Sequence, residues 1–282
     1  MTDQEKNYKW ALEVINSETK RGGFKSALFD FDGTVSLIRQ GWQDVMIPYF
    51  IEVLKKTPIS GDEISITSCV SDFVNFLTGK QTIYQCMRLD EEVQKRGGKH
   101  VDPIEYKREY HRRLMAKIQH RLEGLRKGEI NPQDMIVPGF FEFIKIIRKH
   151  ELTIYLASGT DEDYVLDEAK LLGVSEFFNG GIYGAKDQYK LFSKSMVVRK
   201  IIETHEIKWH ELVGFGYGYV EIEDVKNAGG FAVGLATDEE KRAGIDKWKR
   251  DRLIKGGADI IIPDFYEAVI LDNYLFNDGG GK

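Results

Sequence analysis

The sequence predicts an α/β protein built on a doubly wound parallel sheet and interrupted by an all-helical insert. Two observations lead there. Past Pro138, short apolar strands alternate with helical stretches, the rhythm of right-handed βαβ units. Before it, residues 38–135 read as helix throughout, so the single early strand at 25–29 must join a sheet whose other strands lie beyond the insert. The expected division is a core of residues 1–37 and 136–282 and a helical unit of residues 38–135.

Each element has its own signal. Residues 4–19 are expected to form a short helix packing through Trp10, Leu12, Val14 and Ile15. The apolar run KSALF marks strand 25–29. A helix starts near Trp42 and should kink at Pro48. Ser60 and Glu63 have the spacing of a capping box ahead of Ile64, Val70, Phe73, Val74 and Leu77. Tyr106, Tyr110, Leu114, Ile118 and Leu122 recur every four residues, the stripe of one long amphipathic helix. Then come helix 139–149, strand 152–157, helix 161–171, a strand near 178–183, helix 194–205 and strand 211–215. Helix 219–228, strands 231–236 and 259–263 and a helix from about Phe265 complete the chain, and the tail DGGGK reads as unstructured.

Composition excludes several classes. The 282 residues are 42% hydrophobic and 30% charged, with a net charge of −5, which carries no nucleic-acid signature. No apolar run approaches the ~18 residues that a membrane span needs. The polar start MTDQEKNYKW is not a signal peptide. Cys69 and Cys86 form no C-x-x-C, the six histidines show no zinc-ligand spacing, and a reducing cytoplasmic setting is expected. The basic run 107–127 lacks interleaved exposed aromatics and reads as a solvated helix face. Neither nucleic acid nor membrane is expected as a partner, and the chain is expected to be a monomer or a homodimer.

Chemistry concentrates after strand 25–29, which runs into Asp30, Asp32, Gly33 and Thr34. Residues i and i+2 of extended backbone point the same way, so both carboxylates reach one small volume. Burying them there is costly without a cation or a reaction to compensate. Ser158, Gly159 and Thr160 end strand 152–157 and offer a hydroxyl and backbone N–H groups for a phosphate oxygen. Lys186, Lys190 and Lys194 follow, of which Lys194 opens a helical run.

The D-x-D-G-T stretch resembles the first motif of the haloacid dehalogenase-like (HAD) phosphohydrolases. Ser158 resembles the second motif and Lys194, with Lys190 as runner-up, the third. By that resemblance Asp30 is the nucleophile, Asp32 the general acid/base, and Ser158 and Lys194 neutralise the transferring phosphoryl group. The fourth motif departs from the pattern. The strand runs into Gly216 and Tyr217, where the family places a metal-binding Asp, while Glu221, Ala228 and Gly229 fall at familiar offsets. The resemblance implies Mg²⁺ held by the Asp30 side chain and the Asp32 carbonyl, with Glu221 the nearest remaining acid and Asp224 one helical turn further on. Tyr217 puts that affinity in doubt, since Mg²⁺ prefers carboxylate and water oxygens. It is either an altered position in an intact enzyme or the mark of a weakened paralogue.

The insert resembles the helical cap of the phosphoglycolate-phosphatase and β-phosphoglucomutase branch. Gly79, Lys80 and Gln81 resemble its substrate-reading loop, with Arg39 and Trp42 at the hinge and Gly159 and Thr160 on the phosphate side. The implied activity is a Mg²⁺-dependent phosphatase acting on a small phosphorylated metabolite, a sugar phosphate or a short acid phosphate. A sugar phosphomutase and a non-catalytic phosphometabolite-binding protein are the alternatives.

Overall fold

The computed structural model describes residues 12–186, 193–205 and 208–277. Its strands are β1 (Glu13–Val14), β2 (Ser26–Phe29), β3 (Thr153–Asp161), β4 (Gly181–Ala185), β5 (Leu212–Gly216), β6 (Phe231–Leu235) and β7 (Ile260–Ile262). They form one sheet in the order β1-β7-β6-β5-β2-β3-β4, parallel except for the β1–β7 pair. β2 lies between β5 and β3, with Phe29 in register with both Phe215 and Leu156. All four of its residues are buried, as expected of a central parallel strand covered on both faces. Alternate residues serve the two faces: Ala27 and Phe29 join one core cluster and Leu28 the other. Phe29 stacks on Phe215 at 4.4 Å, with Phe140, Phe143 and Phe265 around the pair. This apolar floor lies directly beneath the strand end that carries Asp30.

Between β2 and β3 stand helices α1 (Gln43–Lys55), α2 (Glu63–Phe76), α3 (Thr82–Lys95) and α4 (Pro103–Lys127). After them come α5 (Phe140–Ile147), α6 (Glu162–Leu171), α7 (Lys194–His205), α8 (Tyr219–Asn227), α9 (Lys247–Lys255) and α10 (Ala268–Phe276). α4 is the long helix that the four-residue repeat predicts, and Tyr106, Tyr110, Leu114, Ile118 and Leu122 are all buried along it. The Asp102 side chain caps its start by accepting from the Ile104 N–H at 3.0 Å, and Pro103 occupies the first turn. Gly128, at φ 71°, ends it in the left-handed conformation that glycine adopts without strain. The connections into and out of the insert pair with each other: Leu37 N–H donates to Met135 O at 2.8 Å and Val137 N–H to Val35 O at 3.0 Å.

The basic run on α4 is neutralised from within the chain. Lys107 pairs with Asp161, Arg113 with Glu52, Lys117 with Asp44 and Arg126 with Asp167, while Arg108 and Arg112 pair with Glu105 and Glu109. Among the described residues, no helix is long and apolar enough to cross a membrane.

Several local expectations are corrected. Glu13 and Val14 form an edge strand against Ile261 and Ile260, not part of a helix, because pairing with β7 satisfies their backbone; Trp10 lies outside the described residues. The Ser60–Glu63 box does not form, since Asp62 takes the N-cap and accepts from the Ser65 N–H at 2.9 Å. That phase exposes Ile64 and buries Ile66. The strand at 152–157 continues to Asp161, so Ser158, Gly159 and Thr160 belong to β3, whose pairing with β4 shifts register between Ala157 and Asp161. The neighbouring strand starts at Gly181, the last helix at Ala268, and α9 appears where no helix is predicted.

Gly139 opens α5 at φ 78°, and a methyl group there would lie 2.2 Å from the Phe265 carbonyl. Gly139→Ala should therefore destabilise the protein by about 2–4 kcal/mol, combining backbone strain with a clash that backbone atoms cannot relieve. A urea-denaturation midpoint unchanged from the parent would contradict this account of the α5–α10 packing.

Candidate active site

Asp30 stands at the carboxyl end of the central strand, with its N–H donating to Phe215 O at 2.9 Å. It is 3% exposed. Lys194, in the first turn of α7, reaches across so that its Nζ lies 2.5 Å from Asp30 Oδ1 and also hydrogen-bonds Glu221 Oε1. Thr34 Oγ1 donates to Asp30 Oδ2 at 3.2 Å. One ammonium thus serves two buried carboxylates. Burial raises the Asp30 carboxyl above the ordinary range; Lys194 opposes the shift and Glu221 adds to it. Burial works against the Lys194 charge, but Asp30 and Glu221 outweigh it and hold the ammonium protonated.

Asp32 points into the same cleft from a different set of partners. Ser158 Oγ and Thr160 Oγ1 donate to its Oδ2 at 3.1 and 2.9 Å, so the far end of β3 fixes this carboxylate from the neighbouring strand. Its Oδ1 is buried without a hydrogen-bond partner, and Arg39 Nε stands 3.8 Å away. Arg39 is not at the cleft entrance, as the hinge position suggests. It is 6% exposed and donates through Nη2 to Glu168 Oε1 at 2.6 Å and through Nε to the same oxygen at 3.0 Å. A buried pair of this kind is costly to break from one side.

A cleft open to solvent lies between sheet and insert. Asp30, Asp32, Lys194, Glu221 and Tyr217 line it from the sheet side together with Gly159 and Thr160. Arg39, Trp42, Gly79 and Lys80 line it from the insert side. The loop at Gly79 closes tightly over the core. At φ 95°, a methyl group on Gly79 would stand 2.8 Å from Glu221 Oε2, and one on Gly159 would stand 3.0 Å from Lys80 O. Gly79 needs glycine for its positive φ, and Gly159 leaves little room for a side chain at this approach.

Some expected residues fall elsewhere. Gln81 is 4% exposed and turns inward at the start of α3, away from the cleft lining. Ser158 is fully buried and its hydroxyl donates to Asp32. Lys186 pairs at 3.6 Å with Glu162 and does not reach Asp30, and Lys190 lies outside the described residues. Asp224 lines a second, smaller pocket that it shares with Asp30, Lys194 and Glu221 and with the apolar side chains of Leu28, Val198 and Val225. There burial, then the charge of Glu221, push its carboxyl up to about 6. The cleft also draws on residues with no local sequence signal: Gln85, Lys107, Tyr110, His111 and Asp161.

Of the acids expected around Mg²⁺, Asp30 and Glu221 are already bound by Lys194 through Asp30 Oδ1 and Glu221 Oε1, and Asp224 lines a small pocket together with these three residues. Among the described residues, no three His, Cys, Asp or Glu side chains are grouped to hold a metal ion. At the position of the missing acid, the Tyr217 ring packs on Gly33, and Lys249 Nζ sits 5.3 Å from its centroid. Burial, together with Asp30, Glu239, Glu221 and Asp32, holds that phenol protonated far above its usual range. A neutral phenol flanked by an ammonium does not replace an anionic oxygen ligand, so these residues do not fit the metal.

No protein-family model and no curated protein matches the chain. Solved structures do. A haloacid dehalogenase-like hydrolase from Streptococcus pneumoniae superposes with a TM-score of 0.55 at 15% identity, covering 89% of this chain and 98% of that one. β-Phosphoglucomutase from Clostridium difficile gives 0.52 at 15% identity over 82% and 98% of the two chains. CbbY from Rhodobacter sphaeroides, solved in complex with phosphate, gives 0.54 at 16% identity over 88% and 99%. At these identities the likeness is one of architecture, and it spans the sheet and the helical insert together. The chain has the fold of the haloacid dehalogenase-like hydrolases and β-phosphoglucomutases, an α/β core carrying a helical cap.

Proposed function

We propose that the protein hydrolyses a small phosphomonoester through an aspartyl-phosphate intermediate formed on Asp30. The observation that carries this reading is the pairing of two differently served carboxylates in one cleft. Asp30 is buried against the Lys194 ammonium at 2.5 Å, and Asp32 is held by the Ser158 and Thr160 hydroxyls. Two acids whose surroundings differ this much are suited to two roles. The fold likeness supports the same chemistry, and the phosphate bound to CbbY supports a phosphorylated ligand. We take residues 38–135 as the cap that shields the cleft from water and residues 1–37 and 136–282 as the core that holds the reacting groups.

In this mechanism an ionised Asp30 oxygen attacks phosphorus in line with the leaving alcohol. Asp32 acts as the general acid and gives a proton to the departing oxygen, so the alcohol leaves neutral. The acyl-phosphate bond on Asp30 is then broken by a water that Asp32 deprotonates, which releases inorganic phosphate and restores both groups. Lys194 lies where negative charge accumulates on the transferring group, and its ammonium needs no reorganisation to stabilise it. No step is assigned to Mg²⁺, because the donor set around Asp30 does not fit it.

Three measurements test this reading. Asp30→Asn should abolish phosphate release with folding intact, and Asp32→Ala should lower kcat about 10²–10⁴-fold. Near-parent turnover of Asp30→Asn would reject the mechanism. Because the Asp30 carboxyl is raised by burial and must be ionised to attack, kcat/KM should fall as pH drops through a value above the ordinary carboxylate range. Calorimetric titration should show weak or no Mg²⁺ binding in the parent and clear binding in Tyr217→Asp. Equal affinity in the two proteins would mean that Glu221 or Asp224 already supplies the ligand.

A further inference from the structure

Buried polar atoms without hydrogen-bond partners recur around the cleft. Asp32 Oδ1, Glu221 Oε2 and His111 Nε2 are such atoms, and all three residues line it. The first two belong to the reacting end. His111 does not. It comes from the middle of α4, on the cap side, where the chemistry proposed above has no use for it.

The wall around His111 carries little free charge. Met46, Gln85, Tyr110 and Leu114 line the same side of the cleft. The two cations that reach it are already committed: Lys107 Nζ lies 2.5 Å from Asp161 Oδ1, and Arg39 is bound to Glu168. Lys80 is exposed at the rim. Burial and the nearby Arg39 push the His111 imidazole down to about 4, so the ring is neutral at physiological pH. Its plane is held against the Tyr164 ring, with centroids 4.3 Å apart. A neutral ring nitrogen, fixed in orientation and left unpaired in a buried wall, costs stability unless a ligand completes it.

We infer that His111 is a specificity-determining residue that hydrogen-bonds a hydroxyl of the leaving alcohol, and that the substrate is an uncharged polyol or sugar monophosphate. The inference rests on the phosphomonoester reading of the cleft and deepens it. A second phosphate or a carboxylate at this end would meet no uncommitted cation beside His111. A hydroxyl satisfies the imidazole as donor or acceptor, and Met46 and Leu114 accept the carbon skeleton.

Calorimetric binding tests this in full-length chains that carry Asp30→Asn, so that the monophosphate is not consumed. The probes are inorganic phosphate, a hexose monophosphate and a hexose bisphosphate, titrated into this parent and into the same chain with His111→Phe or His111→Gln. The parent should bind the monophosphate more tightly than phosphate or the bisphosphate. His111→Phe should weaken monophosphate binding by about 10-fold or more, the scale of one lost buried hydrogen bond, and leave phosphate binding unchanged. His111→Gln should recover part of the loss. Equal weakening for phosphate and monophosphate, no weakening for either, or a preference for the bisphosphate overturns the inference while leaving the phosphatase reading in place. A parent that binds neither phosphate nor monophosphate overturns both.

Discussion

One buried ammonium holds the reacting end of this molecule together. Lys194 is 7% exposed and contacts Asp30 and Glu221, which come from the end of β2 and the first turn of α8. Without it, two carboxylates would face each other in a pocket with little water, and one of them would have to take up a proton. The sheet order makes the contact possible. β2 is flanked by β3 and β5, so the strand ends bearing Asp30, Ser158 and Gly216 open into the same space. The stacked Phe29 and Phe215 rings beneath leave Asp30 little freedom to retreat. Position, charge and rigidity at this point all follow from a single parallel strand order.

The substitution at Tyr217 changes the electrostatic character of the cleft. An acid there would add a negative charge beside Asp30. Instead the strand end supplies a protonated phenol, and beyond its ring Lys249 is bound to Glu239 at 2.5 Å. The positive charge nearest Asp30 is that of Lys194, and it is covalently part of the chain.

Much of this arrangement is legible in the sequence because its signals are local. D-x-D-G-T locates the strand end, the four-residue repeat locates α4, and Lys194 stands out as the lysine that opens a helix. What escapes notice depends on distant partners or weak patterning. α9 has a single fully buried residue, Leu253, and no apolar stripe to announce it. β1 is two residues long and exists because β7 offers an edge. Arg39 and Glu168 are 129 residues apart, so nothing near Arg39 tells that its charge is committed. His111 follows Tyr110 on the helix, one position off the apolar stripe, and only the packing of α4 against α1, α3 and α6 shows what it faces. The metal assignment fails for a related reason. Lys194 comes from another helix to bind Asp30 and Glu221, and the spacing of the acids alone does not tell that their oxygens are taken.

The paired connections at 35–37 and 135–137 have a consequence for how such a molecule diversifies. Because the four-helix insert leaves the core beside the point where it enters, the sheet sees it as a short bridge, whatever its length. Insertions, deletions or wholesale exchange of the helices alter what closes over the cleft without changing strand order, register or the place of Asp30. The chemistry and the recognition surface can therefore drift at separate rates, one anchored in a crowded apolar floor and the other hung from two neighbouring strands.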